Sequence, residues 1–232
     1  MIERLTDALF PQRCVMCDKV IAPNRKGVCP RCAPKLIYVD EPRCLKCGRP
    51  TDLNAVYCND CEHRPHNFIM GSFPFSYESI GDSIFRFKYN NRPEYAQFYA
   101  DAVADRLGDW ITGLRPDALI PIPLHKKRLA ERGYNQAAEL SDAISQRLKI
   151  PSYPNLAVRF RNTIPQKQFD AKMRQINMKK AFIIRENDVR LKRVFIVDDI
   201  FTTGSTIDSL ASELQKNGVD EVYFVTISAA GT

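Results

Sequence analysis

No run of apolar residues approaches the ~18 that a membrane span needs. The start, Met1-Ile2-Glu3-Arg4-Leu5-Thr6-Asp7, lacks the basic-then-apolar layout of a secretory signal, so a cytoplasmic protein is expected. Strong net charge is missing too. The formal +7 counts every thiol as neutral, and eight thiolates set against two Zn²⁺ would lower it by four, to +3. That is too weak a whole-chain signal to argue for nucleic-acid binding. No cysteine follows Cys61, which confines all eight to the first part of the chain. With 44% apolar and 26% charged residues, the 232-residue chain has a soluble, globular composition and room for one large domain plus a small one.

The cysteines that are present form four C-x₂-C pairs, Cys14/Cys17, Cys29/Cys32, Cys44/Cys47 and Cys58/Cys61, spaced eleven, eleven and ten residues apart. The two sulfurs of one such turn reach a tetrahedral metal together, and two turns close a site with no open position. Two structural Zn²⁺ are therefore expected. Residues 11–66 hold few large apolar side chains, and structural zinc contributes about 10–16 kcal/mol in comparable modules. A disulfide scaffold needs an oxidising compartment. A redox C-x-x-C would not be repeated along the chain, and the regular spacing fits an iron–sulfur cluster poorly. Sequential pairing, Cys14, Cys17, Cys29 and Cys32 in one site and Cys44, Cys47, Cys58 and Cys61 in the other, takes the shortest loops; interleaved pairing stays open. Ahead of these pairs, Ile2, Leu5, Leu9 and Phe10 predict a short helix ended by Pro11. After them, His63 and His66 read as a solvated linker around Pro65. The expected domains are 1–66 and 67–232.

Beyond the linker the pattern is that of an α/β domain. Residues 68–75 read as a strand with a slip near Pro74, and 80–87 as a short helix. Lys88 reads as a solvated lysine, although its place between Phe87 and Tyr89 could also aim it at a ligand. Pro93 opens a longer helix whose Tyr95, Tyr99, Val103, Leu107 and Trp110 form a core stripe. A buried strand at 119–124 ends in a basic segment with Lys126, Lys127, Arg128 and Arg132 before a helix at 137–148. Residues 159–180 carry seven basic residues against one aspartate, interleaved with Phe160, Phe169, Met173 and Met178. This segment, with Arg161, Lys167, Lys172 and Arg174, fits a flap over a phosphorylated ligand or a binding site for a single strand of nucleic acid.

The most informative stretch is residues 193–206. The apolar run 194–197 reads as a buried parallel strand that ends in Asp198-Asp199, then Thr202-Thr203-Gly204-Ser205-Thr206 before a helix through 215. A phosphate on that loop would meet backbone N–H groups, hydroxyls and a favourable helix dipole, while the aspartates accept hydrogen bonds from sugar hydroxyls. An ordinary strand-turn-helix with a Ser/Thr cap is the plainer reading. A strand at 222–227 closes the chain.

Val197 to Thr206 resembles the phosphoribosyl-pyrophosphate (PRPP) motif of the type I phosphoribosyltransferases. In that family the acid pair grips the ribose hydroxyls, the following loop holds the 5′-phosphate, and the loop matching the basic segment receives pyrophosphate. The wider order is the four C-x₂-C pairs, then Pro121, Pro123, Leu124, His125, Arg128, Arg132, Gly133, Tyr134, Asn135 and Gln136, then Arg161, Thr163, Gln166, Arg174, Asn177, Ala181 and Phe182, then Val197 to Thr206. It resembles the ComF family of bacterial competence proteins across nearly the entire chain. The resemblance implies a double zinc ribbon followed by a phosphoribosyltransferase-like parallel sheet with flanking helices. It also implies PRPP with Mg²⁺ as ligand, single-stranded DNA and a ComFA-like competence helicase as partners, and a role in DNA uptake. Asp198 and Asp199 would be the catalytic pair if transfer occurs. Purine-directed relatives often carry an aspartate where this chain has Thr202, so binding of PRPP is better supported than turnover.

Overall fold

The computed structural model describes residues 11–22, 27–159, 181–185 and 190–230. In order, it contains a 3₁₀ turn at Ala33–Lys35, helix α1 (Asn59–His63), strands β1 (Gly71–Ser72) and β2 (Phe75–Ser76), helices α2 (Tyr77–Tyr89) and α3 (Tyr95–Gly113), and strand β3 (Ala118–Pro121). Helices α4 (Lys126–Arg132) and α5 (Gln136–Leu148) follow, then strands β4 (Ala157–Arg159), β5 (Phe182–Ile184), β6 (Arg193–Val197) and β7 (Ile200–Phe201). Helix α6 (Ser205–Lys216) and strands β8 (Glu221–Val225) and β9 (Ser228–Ala229) complete it. The predicted helix at 2–10 lies outside the described residues.

The main sheet has the order β1-β8-β6-β3 and is parallel throughout. Side chains alternate across a strand, and here both faces are covered. Val194 and Ile196 pack with Phe182, Leu210 and Phe224 on one face. Phe195 and Val197 pack with Tyr99, Ile144 and Val225 on the other. This double burial is why β6 reads as an unbroken apolar run. Helices α2, α3 and α5 cover the Phe195 face, where the Trp110 ring meets Phe195 edge-on at 5.2 Å. Helix α6 covers the opposite face through Ile207, Leu210 and Leu214.

The predicted strand at 68–75 is split between two sheets. β1 pairs with β8, whereas β2 pairs with β9 in a second parallel sheet of order β2-β9-β7. Gly71 permits the close approach in β1, since a Cβ there would lie 2.1 Å from the Phe224 ring. The sequence also understates the helix at 80–87, because α2 begins three residues earlier and runs on through Tyr89. β4 and β5 pair antiparallel, so the described ends of the basic segment lie side by side.

The two cysteine groups sit in different surroundings. Cys14 and Cys32 share a small cluster with Ile21. Cys44 and Cys47 belong to the same core as Phe68, Phe201 and Ile207, which flank the end of β6 and the start of α6.

Candidate functional site

The carboxyl ends of β3 and β6 lie together: Pro121 pairs with Val197, and the Ile122 N–H donates to the Val197 carbonyl at 2.9 Å. Asp198 and Asp199 leave β6 at this edge. The backbone holds them in place, with Asp198 N–H donating to Val225 O at 3.2 Å and Asp199 O accepting from Ile227 N–H at 3.0 Å. The Asp198 carboxylate accepts the Asp199 N–H at 2.8 Å.

Lys88, at the end of α2, places its Nζ 2.9 Å from Asp199 Oδ1, with only 18% and 14% of the two side chains exposed. The sequence reading of Lys88 as a solvated lysine is therefore corrected. Its place between Phe87 and Tyr89 was the one available signal. Burial pushes the Asp198 carboxyl up to about 7, helped by the Asp199 charge and opposed by Lys88 and Arg159. A raised folded value means that stability from this group falls as pH rises from the ordinary carboxylate range toward 7. Asp198→Asn, which mimics the protonated acid, should raise the ligand-free melting temperature at pH 8, and the gain should shrink toward pH 5. At about 2–4 °C per kcal/mol for a chain of this size the change is measurable by circular dichroism. Equal gains at both pH values would show that Asp198 is ionised throughout.

The loop after β7 carries the hydroxyls. Thr202, Thr203 and Ser205 are exposed and Thr206 is half-buried. Gly204 caps α6 at φ +77°, and a Cβ there would lie 3.1 Å from both His66 and Phe201, so conformation and space both favour glycine. The first N–H groups of α6 have no intrahelical acceptor, which suits an anion. His66 is not a solvated linker residue. Its side chain is 1% exposed, its ring stacks on Phe68 at 4.5 Å, and its Nδ1 lies 2.7 Å from Asp208 Oδ2 in the first turn of α6. Asn67 N–H donates to the other oxygen of Asp208 at 2.8 Å, which pins this stretch to the helix.

The basic segment after β3 is a helix rather than a loop. The His125 side chain caps α4 by accepting Lys127 N–H at 3.2 Å, and Gly133 ends it at φ +82°. Arg132 stacks on Tyr89 at 4.6 Å and donates to the Tyr89 hydroxyl at 2.9 Å and to Gln136 Oε1 at 2.8 Å. It is thereby held beside the end of α2 that carries Lys88. Lys126 and Arg128 are exposed on α4. Arg161, Lys167, Lys172 and Arg174 lie outside the described residues; Arg159, where that segment begins, acts on Asp198 through its charge.

The cysteines pair sequentially. Cys14, Cys17, Cys29 and Cys32 form one group and Cys44, Cys47, Cys58 and Cys61 the other, with all Sγ atoms of a group within 4.8 Å of one another. The Sγ–Sγ separations of 3.9 Å for Cys17–Cys29 and 3.7 Å for Cys47–Cys58 far exceed a disulfide bond. They match the ~3.8 Å edge of a tetrahedron with ~2.3 Å Zn–S bonds. Burial raises the Cys61 thiol while hydrogen bonding from Cys47 lowers Cys44. Four such thiols share negative charge comfortably only around a cation. Both groups fit a structural Zn²⁺.

The chain matches the double zinc ribbon domain family over residues 5–62 and the phosphoribosyl transferase domain family over residues 134–232. It is 32% identical to competence protein F of Haemophilus influenzae, across 92% of this chain and 95% of that protein. It is 29% identical to the DNA utilization protein YhgH of Escherichia coli, covering 91% and 94%, and 27% identical to competence protein ComFC of Bacillus subtilis, covering 88% and 89%. A purine phosphoribosyltransferase of known structure from Pyrococcus horikoshii aligns with a TM-score of 0.34 at 17% identity, over 57% of this chain and 83% of its own. Similarity at this level, spanning nearly all of both chains, means that the protein belongs to the ComF family of competence proteins, with a double zinc ribbon ahead of a phosphoribosyltransferase domain.

Proposed function

We propose that the protein binds PRPP with Mg²⁺ at the carboxyl end of β6 and, in the setting of DNA uptake, couples that ligand to the handling of single-stranded DNA. The supporting observation is the ion pair of Lys88 with Asp199 beside the Gly204 loop, which puts an acid pair, a cation and a helix N-terminus at one edge. In this reading Asp198 and Asp199 accept hydrogen bonds from the ribose 2′ and 3′ hydroxyls. Thr202, Thr203, Gly204, Ser205 and Thr206 hold the 5′-phosphate, and Lys126, Arg128 and Arg132 face the diphosphate. Mg²⁺ offsets the charge that diphosphate and carboxylates would otherwise share. The names of the competence and DNA-utilization relatives support the DNA setting; the ComFA-like helicase partner rests on the resemblance to the ComF family alone. Residues 159–180 supply the contact with single-stranded DNA, entering and leaving at β4 and β5.

Lys88 tests the ligand. In this reading the Lys88 ammonium also faces the diphosphate, and a charge-assisted contact contributes about 1.5–3 kcal/mol, so Lys88→Gln should weaken Mg·PRPP about 10- to 100-fold in calorimetry. Ribose 5-phosphate, which lacks the diphosphate, should lose much less. Equal affinity for PRPP in the variant and the wild type would leave Lys88 as a structural ion pair and remove the main support for this site.

A second reading is transfer rather than binding alone. Asp198 at about 7 is suited to general acid–base work near neutrality, although Thr202 contributes no base. Released pyrophosphate from PRPP, Mg²⁺ and a panel of bases and nucleic acids would establish the transferase; its absence across the panel leaves the binding role.

A further inference from the structure

The phosphate loop is gripped from behind by the second zinc ribbon. Arg49, two residues after Cys47, is 5% exposed. Its Nη1 donates to Asp60 Oδ2 at 2.8 Å, and Asp60 lies between Cys58 and Cys61, so the pair joins both cysteine turns of the second site. Its Nη2 donates to the Thr202 carbonyl and, at 2.9 Å, to the Ala230 carbonyl, and its guanidinium lies 5.3 Å over the Phe201 ring. Arg64 Nη1 donates to the next carbonyl, Thr203 O, at 3.2 Å. The backbone of Arg49 is itself part of the cysteine turn, since its carbonyl accepts Cys44 N–H at 2.7 Å.

Peptide geometry gives these contacts a consequence. In a planar trans peptide the C=O and the following N–H point in opposite directions. Holding Thr202 O and Thr203 O toward the ribbon turns the N–H groups of Thr203 and Gly204 to the opposite side. Neither N–H has a hydrogen-bond partner among the described residues. The arginines also keep two carbonyl dipoles from facing an incoming anion. Resting on the phosphate reading given above, we propose that Arg49 is a positioning residue through which the second zinc site pre-shapes the phosphate loop. Ligand affinity then depends on the metal held by Cys44, Cys47, Cys58 and Cys61. By linkage, a ligand on the loop tightens the equilibrium affinity for that metal by the same factor that metal loss weakens the ligand. Among the described residues, the first site's ribbon is tied elsewhere: Asp18 accepts from Arg92 at 2.8 and 2.9 Å, ahead of α3, and Arg86 on α2 donates to the Val15 and Met16 carbonyls.

The first arm of the test needs no ligand. Amide hydrogen exchange is compared in the two-zinc wild type and Arg49→Ala, with zinc counted in each sample. The amides bonded to carbonyls of the loop, Ala230 N–H on Phe201 O and Asp208 N–H on Gly204 O, each at 2.8 Å, should exchange at least about ten-fold faster in the variant, as local opening of a loop released from its buried contacts requires. Exchange in β6 should not change. Unchanged loop exchange with both zincs retained overturns the proposal. If Arg49→Ala loses zinc or misfolds, Arg49→Lys carries the test. It keeps the charge, but one nitrogen cannot span Asp60, Thr202 and Ala230, so the loop should again exchange faster; a wild-type rate overturns the proposal. The second arm titrates Mg·PRPP, with at least ten-fold weaker binding expected in the variant and equal affinity overturning the coupling. A wild type that binds no PRPP, with the loop still loosened by Arg49→Ala, refutes the ligand reading and upholds the clamp.

Discussion

Cys47→Ser is expected to yield protein with one zinc per chain instead of two and a much lower melting temperature. Cys47 is 0% exposed and lies in the core shared with Phe68, Phe201 and Ile207, so loss of its thiolate is felt beyond the ribbon. A serine hydroxyl does not ionise to replace it. Structural zinc contributes about 10–16 kcal/mol in small modules. If about 4 kcal/mol of that reaches the whole chain, at about 2–4 °C per kcal/mol the midpoint falls by roughly 8–16 °C. Cys17→Ser should also remove one zinc, with a smaller fall, because the first group sits in its own small cluster. Elemental analysis and thermal melts of the two variants settle the matter. Two zincs in Cys47→Ser, or equal melting in both variants, would contradict the embedding of the second site.

The double variant Asp198→Asn, Asp199→Asn should lose Mg·PRPP binding by at least ~100-fold, since two charge-assisted contacts of ~1.5–3 kcal/mol disappear together. The fold should survive. Burial and the neighbouring carboxylate disfavour the charged form of Asp198 and push its carboxyl up to about 7, so neutralising the pair relieves a cost of holding both charges. Lys88 loses its partner, but at 18% exposure its ammonium keeps some contact with water. Calorimetry measures the first effect and melting the second. Retained affinity would move the sugar site away from β6, and collapse of the fold would make the acid pair a structural element.

What the sequence made legible was local. The apolar run of β6, the acid pair, the small hydroxylated loop and the start of α6 are contiguous, so one stretch of chain carried the whole strand-loop-helix unit. The spacing of the C-x₂-C pairs carried the two metal groups and, through loop length, favoured the sequential pairing without excluding the interleaved one. What stayed hidden depends on contacts between distant residues. Arg49 meets Thr202 across 153 residues, and His66 meets Asp208 across 142. A histidine beside a proline gives no sign that its ring will stack on Phe68 under a loop. Lys88 had an apolar setting in the sequence, yet only the packing of α2 on the sheet decides that its ammonium meets Asp199. The break in the predicted strand at 68–75 has a similar origin, for β1 and β2 are assigned to different sheets by their partners β8 and β9. His125, read as part of a basic loop, instead starts a helix by capping it.

The most direct test of the site is calorimetric titration of the two-zinc wild type with PRPP, with and without Mg²⁺. Saturable binding of one PRPP per chain that requires Mg²⁺ is the predicted result. No saturable heat, or the same affinity with Mg²⁺ withheld, would contradict a phosphoribosyl-diphosphate site at Asp198 and Asp199.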